Sequence, residues 1–178
     1  MKTTIKVKLL NENCGLSVNP KGDWIDLRAA ESITLKGLEA TVLKRVRTTE
    51  IKDSFREIRN YYHILPLGVA IKLPEGFEAI VAPRSSIFKN FKCIVPNSIG
   101  IIDNCYCSNT DQWCLPIIPL ESINIIEGDR ICQFKIQLSQ KATIFQKIKW
   151  LFSDGIEIEY VDDLGEESRG GFGSSGVK

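Results

Sequence analysis

Hydrophobic residues recur at every second position in four separate stretches of this 178-residue chain. Ile5, Val7 and Leu9 alternate with Lys6 and Lys8; Phe77, Ala79 and Val81 alternate with Glu78 and Ile80. Cys132, Phe134, Ile136 and Leu138 alternate with Gln133, Lys135 and Gln137, and Ile156, Ile158 and Tyr160 with Glu157 and Glu159. A side-chain period of two puts each set on one face of an extended backbone, so each run predicts a strand with one buried face. Turn-forming clusters separate the runs: Pro20-Lys21-Gly22-Asp23, Pro74-Glu75-Gly76 and Glu127-Gly128-Asp129. Many short strands punctuated by turns predict an all-β sandwich or barrel.

Helical spacing is scarce. Ile51, Phe55 and Ile58 within Glu50 to Asn60 predict either a short surface helix or a charged β-hairpin insertion. The segment 44–60 is rich in basic residues but has no aromatic platform beyond Phe55. It reads as a solvated face rather than a nucleic-acid patch, and it is also a candidate surface for a protein partner. Ser85 to Asn90 fits a single helical turn. No internal repeat is present.

Length and composition narrow the picture. A chain of this size makes one domain, here residues 1–165, with a sufficient core. Hydrophobic residues are 43% and charged residues 25%, which excludes wholesale disorder. The net charge of +1 supplies no global field for nucleic acid. No apolar run approaches the roughly 20 residues of a membrane span, and the N-terminus lacks the apolar stretch of a signal peptide. A cytoplasmic protein with neither nucleic acid nor membrane as partner is expected, its six cysteines reduced. Cys105, Cys107 and Cys114 lack the spacing of a structural zinc site, and His63 is the sole histidine. Residues 166–178, ending SRGGFGSSGVK, form a glycine- and serine-rich arm. An arginine and a phenylalanine in flexible backbone suit closure over a ligand, the one on phosphate and the other on a ring. The arm is not a phosphate loop of the Walker type, because the chain ends where the helix should begin.

Four further segments carry candidate chemistry. In DWIDLRAAE, Asp26 follows an apolar pair, where a turn or capping role is the simplest reading. In APRSSIFKNF, Arg84 offers a planar fork for phosphate, and Ser85 and Ser86 stand where a helical turn begins. In NSIGIIDNCY, Asp103 emerges after Ile101 and Ile102, and partial desolvation there suits a general base acting on water. Tyr106, three residues on, can pack against a sugar. In EGDRICQFKIQL, Gln133 lies on the polar face of its strand and can donate to phosphate, while Asp129 and Arg130 suit an ion pair within the turn.

Singly these are weak signals. In this order, DWIDLRAAE, PRSS, NSIGIIDNCY, GDRICQF and RGGFGSSG resemble the five motifs of the homotrimeric dUTP pyrophosphatases, the dUTPases. The resemblance implies a jelly-roll-like β barrel and three subunits sharing three active sites. It implies hydrolysis of dUTP to dUMP and pyrophosphate, which limits uracil in DNA and supplies dUMP for thymidylate synthesis. Asp103 corresponds to the residue that deprotonates the water attacking the α-phosphorus. Tyr106 corresponds to the residue beneath deoxyribose, and Asn97, Gly100 and Ile102 to the nucleoside pocket. Arg84, Ser85, Ser86 and Gln133 correspond to phosphate contacts, and Asp26 to an acid near the metal–triphosphate region. In the arm, Arg169 corresponds to a γ-phosphate contact, Phe172 to the group over uracil, and Gly173 and Ser174 to further substrate contacts. Mg²⁺ is implied as an ion held mainly by the triphosphate, without a direct protein ligand. The sequence departs from the family after Tyr106, where a short Y-x-G hairpin is replaced by YCSNTDQWCLP.

Three other readings remain open at this level. A dCTP deaminase on the same fold calls for a T-L-E-type segment that the sequence lacks. A nucleotide-gated regulatory module finds its support only in the 44–60 insertion, and a purely structural jelly roll leaves the ordered polar motifs unexplained.

Overall fold

The structure is a computed structural model describing residues 2–18, 20–42, 56–59, 62–168 and 170. Alternation of apolar and polar positions produces the strands that the sequence predicts. The first runs are β1 (Thr3–Leu9), β2 (Ser17–Val18), β3 (Ile25–Arg28), β4 (Ile33–Leu35), β5 (Glu39–Val42) and β6 (Arg56–Arg59). Then come β7 (His63–Pro66), β8 (Val69–Lys72), β9 (Phe77–Pro83), the short helix α1 (Ile87–Phe91), β10 (Cys93–Ile94) and β11 (Gly100–Asp103). The chain continues through β12 (Cys114–Pro119), β13 (Ile123–Ile125), β14 (Arg130–Leu138), helix α2 (Ile144–Leu151) and β15 (Ile156–Tyr160).

These strands form short sheets wrapped around one apolar core, a jelly-roll-like all-β barrel. The largest sheet runs β11-β9-β14-β3-β2; two others run β15-β1-β8 and β10-β12-β7, and β13-β4 and β5-β6 pair separately. Ile5, Val7, Leu27, Val69, Ile71, Ala79, Leu115, Ile117 and Phe134 are fully or almost fully withdrawn from solvent. Trp113 meets Phe134 edge to face at 5.1 Å, a favoured geometry for buried rings. Two expected turns close as the sequence indicates. Gly76 and Gly128 hold φ of +81° and +87°, a left-handed backbone that glycine adopts without steric cost. The run in β15 is only half buried, and its Tyr160 is exposed, so this strand makes an edge rather than a core wall.

One expectation is narrowed and one element is added. The helical alternative for Glu50 to Asn60 does not hold for 56–59, which form β6 and pair antiparallel with β5. This agrees with the hairpin alternative; residues 43–55 and 60 lie outside the described residues. Helix α2 was not foreseen. Thr143 caps it with a complete capping box to Gln146, and Trp150 packs edge to face on Phe77 at 5.1 Å. Among the described residues no helix is long and apolar enough to cross a membrane.

Candidate functional site

Two cavities flank the β11-β9-β14-β3 ladder. The larger, about 310 Å³, is walled by Asn97, Gly100, Ile102, Asp103, Tyr106, Trp113 and their neighbours, with Gly170 at its edge. β11 supplies its floor: Gly100 pairs with Val81 and Asp103 with Glu78 on β9. The turn before β11 is sharp, with Ser98 at φ +61°, a left-handed conformation that a serine adopts only at a cost. That turn delivers Asn97 to the cavity mouth. Asn97, Gly100, Ile102 and Tyr106, singled out from the sequence, therefore converge on one cavity.

Asp103 is a correction. The sequence placed it as a partly desolvated carboxylate, but it is exposed in this chain, because it ends β11 at the rim rather than inside the apolar strand. Tyr106 is half-buried, and its hydroxyl donates to the Gln112 carbonyl at 3.0 Å. Burial pushes its pKa up, helped by Cys114 and Asp111, so the phenol stays a donor.

The smaller cavity, about 160 Å³, is lined by Gly22, Asp23, Trp24, Asp26, Arg84, Ser85 and Gln133. Cross-strand register builds it: Gln133 on β14 sits opposite both Asp26 on β3 and Ala82 on β9. Asp26 is no capping residue. It is 4% exposed and forked between two guanidiniums, Arg84 Nε at 3.0 Å from Oδ1 and Arg130 Nη1 at 3.0 Å from Oδ2. The Asp26–Arg84–Arg130 cluster carries net charge +1; of its members Asp26 and Arg84 line the cavity, beside Asp23, and the Arg84 fork suits phosphate. The expected Asp129–Arg130 pair is replaced. A bulge in β14 sets Arg130 opposite Arg28, where an unbroken ladder would place Ile131, and Arg130 turns to Asp26. Asp129 instead accepts from the Ile126 N–H at 2.9 Å. Ser85 is exposed, and Ser86 stands at the N-cap of α1 without a side-chain cap bond, as the sequence placed them. Arg169, Phe172, Gly173 and Ser174 lie outside the described residues.

The departure after Tyr106 is a compact turn. Ser108 N–H donates to Asp111 Oδ2 at 2.9 Å, and Asp111 N–H returns to the Ser108 carbonyl at 3.2 Å. The backbone of Trp113 then donates to Val69 and accepts from Leu67, fastening the turn to the core. No disulfide joins the six cysteines. Burial raises Cys93 and Cys114 to about 11 and pushes Cys132 higher still.

Sequence and structure comparisons agree on one family. The family model of the dUTPases matches residues 48–176. The SPbeta prophage-derived deoxyuridine 5'-triphosphate nucleotidohydrolase YosS of Bacillus subtilis is 40% identical over 175 residues, covering 98% of this chain and 99% of its own. The deoxyuridine 5'-triphosphate nucleotidohydrolase of Finegoldia magna is 29% identical, covering 97% and 99%. Among solved structures, the dUTPase of Streptococcus mutans superposes with a TM-score of 0.59 at 16% identity over 78% of this chain and 98% of its own. The Staphylococcus bacteriophage 80alpha dUTPase with dUPNHPP superposes at 0.56 and 19%, over 97% and 98%. At those identities the structural likeness concerns the fold.

Proposed function

This chain belongs to the dUTPase family, and on that premise we propose that it hydrolyses dUTP to dUMP and pyrophosphate. The carrying observation is the convergence of Asn97, Gly100, Ile102, Asp103 and Tyr106 on one nucleoside-sized cavity. Asp103 holds a water and takes its proton as the water oxygen bonds to the α-phosphorus. The bond from that phosphorus to the bridging oxygen breaks, and pyrophosphate leaves with the electron pair. Tyr106 lies beneath the deoxyribose, and Asn97 orients the nucleoside. Arg84, Ser85, Ser86 and Gln133 receive the phosphates, while Asp26 aims Arg84 and Arg130 at them. Arg169, Phe172, Gly173 and Ser174 act from the arm.

The donor set near the phosphates fits Mg²⁺ bound through substrate. Both oxygens of Asp26 are committed to guanidiniums, and Mg²⁺ favours phosphate oxygens and waters. The ion, when bound, offsets phosphate charge.

One copy of the chain does not complete this site. Asp103 pairs with Glu78, and Arg84 leaves β9 six residues later, so the two lie about 20 Å apart along the strand. That span exceeds a triphosphate. A second copy that brings its Asp103 cavity to this chain's Arg84 cavity supplies the missing half, and closed three-fold symmetry repeats the arrangement as a homotrimer. Ile99 and Ile101, exposed beside the cavity, suit burial at such an interface. The protein works in the cytoplasm.

The test is pyrophosphate release from dUTP, dCTP, dTTP and UTP with Mg²⁺, beside Asp103→Asn. Release from dUTP alone, abolished in the variant, is expected. Equal release from dCTP or dTTP, or full activity of Asp103→Asn, overturns the reading.

A further inference from the structure

We propose that the outer face of helix α2 docks the protein reversibly on an anionic lipid surface.

Two side chains one turn apart fasten α2 to the barrel. Trp150 packs edge to face on Phe77 at 5.1 Å, and Gln146 Nε2 donates to the Glu75 carbonyl at 3.1 Å. Every other residue of the helix is exposed. At 3.6 residues per turn the opposite side carries Ile144, Phe145, Ile148, Leu151 and, at the C-cap, Phe152, over an arc of about 120°. Phe145 is 81% exposed, Leu151 77% and Phe152 74%. A surface helix turns such an arc toward the core; here the arc faces away from it. Five neighbouring apolar side chains make a patch, which single exposed hydrophobes do not.

The borders of the arc are basic. Lys147 flanks it on one side and Lys149 on the other, both exposed, and Lys141 precedes the helix. No acidic residue occurs from Ser139 to Ser153; Asp154, Glu157 and Glu159 follow the helix.

Area and charge decide between occupants. A second copy is disfavoured. The eight-residue helix is about 12 Å long, and its strip falls far short of the roughly 800 Å² that each partner buries in a stable pair. Pairing two copies of the face also sets lysine borders on lysine borders. A protein partner must offer a groove that matches the ridge and must extend well beyond it to reach that area. A bilayer interface needs neither. It yields to a protruding helix and takes the apolar face about 5–10 Å deep. Lysines on both borders then reach lipid phosphates while their stems lie along the acyl boundary. The expectation of no membrane partner rests on the lack of a spanning run, and a helix lying in the interface needs no span.

The experiment is flotation of the full chain with two vesicles: equal parts phosphatidylglycerol and phosphatidylcholine, and phosphatidylcholine alone. The parent is expected to float with the anionic vesicles and far less with the neutral ones. A lysine near an anionic surface contributes about fivefold, so Lys147→Gln combined with Lys149→Gln is expected to weaken partitioning about thirtyfold. Phe145→Ser combined with Leu151→Ser is expected to abolish flotation, with Tm, oligomer size and dUTP hydrolysis in solution unchanged. A parent that floats with neither vesicle overturns the proposal and leaves the arc to a protein groove. Equal flotation with both vesicles overturns the charge complementarity. Variants that float as the parent does overturn the role of α2. A smaller oligomer for the serine variant in light scattering overturns the proposal in favour of a second copy.

Discussion

Asp103 and Arg84 stand at opposite ends of one strand: Asp103 is registered against Glu78 near the start of β9, and Arg84 follows its last residue, Pro83. The proposed base and the proposed phosphate fork are thereby held rigidly apart. The distance comes from strand geometry and not from a loop that can close, and it is the ground for proposing a site assembled between chains.

Asp26 holds the phosphate-side cluster together. Replacing it with alanine leaves Arg84 and Arg130 without the carboxylate that orients both, in a place where Asp26 itself is nearly fully buried. Removing one member of a buried ion cluster costs up to about 3–5 kcal/mol, but both guanidiniums keep access to water, and about 2 kcal/mol is expected. Urea unfolding measures the loss. A variant as stable as the parent contradicts the structural role given to the fork.

The Asp111 contact carries a pH signature. Burial pushes this carboxyl up, yet the hydrogen bonds from Ser168, Ser108 and Cys107 outweigh burial and leave it below the usual carboxylate range. A pKa depressed by folding stabilises the protein above the unfolded value of about 3.9, and the contribution disappears as pH falls through the folded value. Asp111→Asn should therefore lower Tm at neutral pH, and the difference from the parent should shrink toward zero in acid below about pH 4. A difference that is independent of pH argues against an ionised Asp111.

Thiol accessibility is the third expectation. Cys105 is exposed, Cys14, Cys93, Cys107 and Cys132 are buried, and Cys114 is intermediate with a thiol raised to about 11. A thiolate-selective disulfide reagent at pH 8 should label Cys105 fast in the native protein and the other five only slowly, with all six titrating in denaturant. Rapid labelling of several thiols before unfolding would conflict with the packing described.

The sequence made the main strands legible because β1, β9 and β14 each bury one face against the core, which writes a period of two into the chain. It also marked both cavities, since Asp26, Arg84 and Gln133 of the one and Asn97, Asp103 and Tyr106 of the other occur in recognisable segments. Their mutual geometry was not legible. The Arg130–Asp26 pair joins residues 104 positions apart across a bulge, and the local charge pattern pointed to Asp129 instead. Exposure of Asp103 was misjudged because a strand end can finish inside a core or at its rim with the same residues. Helix α2 was missed although Thr143 and Gln146 spell a capping box ahead of Ile144, Ile148 and Leu151. The Asp111–Ser168 contact spans 57 positions and leaves no periodic trace.

Subunit mixing tests the central claim, a dUTP-hydrolysing site divided between copies, most directly. Asp103→Asn and Arg84→Gln chains, each carrying a different tag, are expressed separately and together, and oligomers bearing both tags are isolated. Each variant alone should be inactive on dUTP. In every doubly tagged trimer one site in three joins an intact Asp103 from one chain to an intact Arg84 from another, so the isolated oligomers should recover about a third of the parent's activity. Doubly tagged oligomers no more active than the single variants would contradict the account.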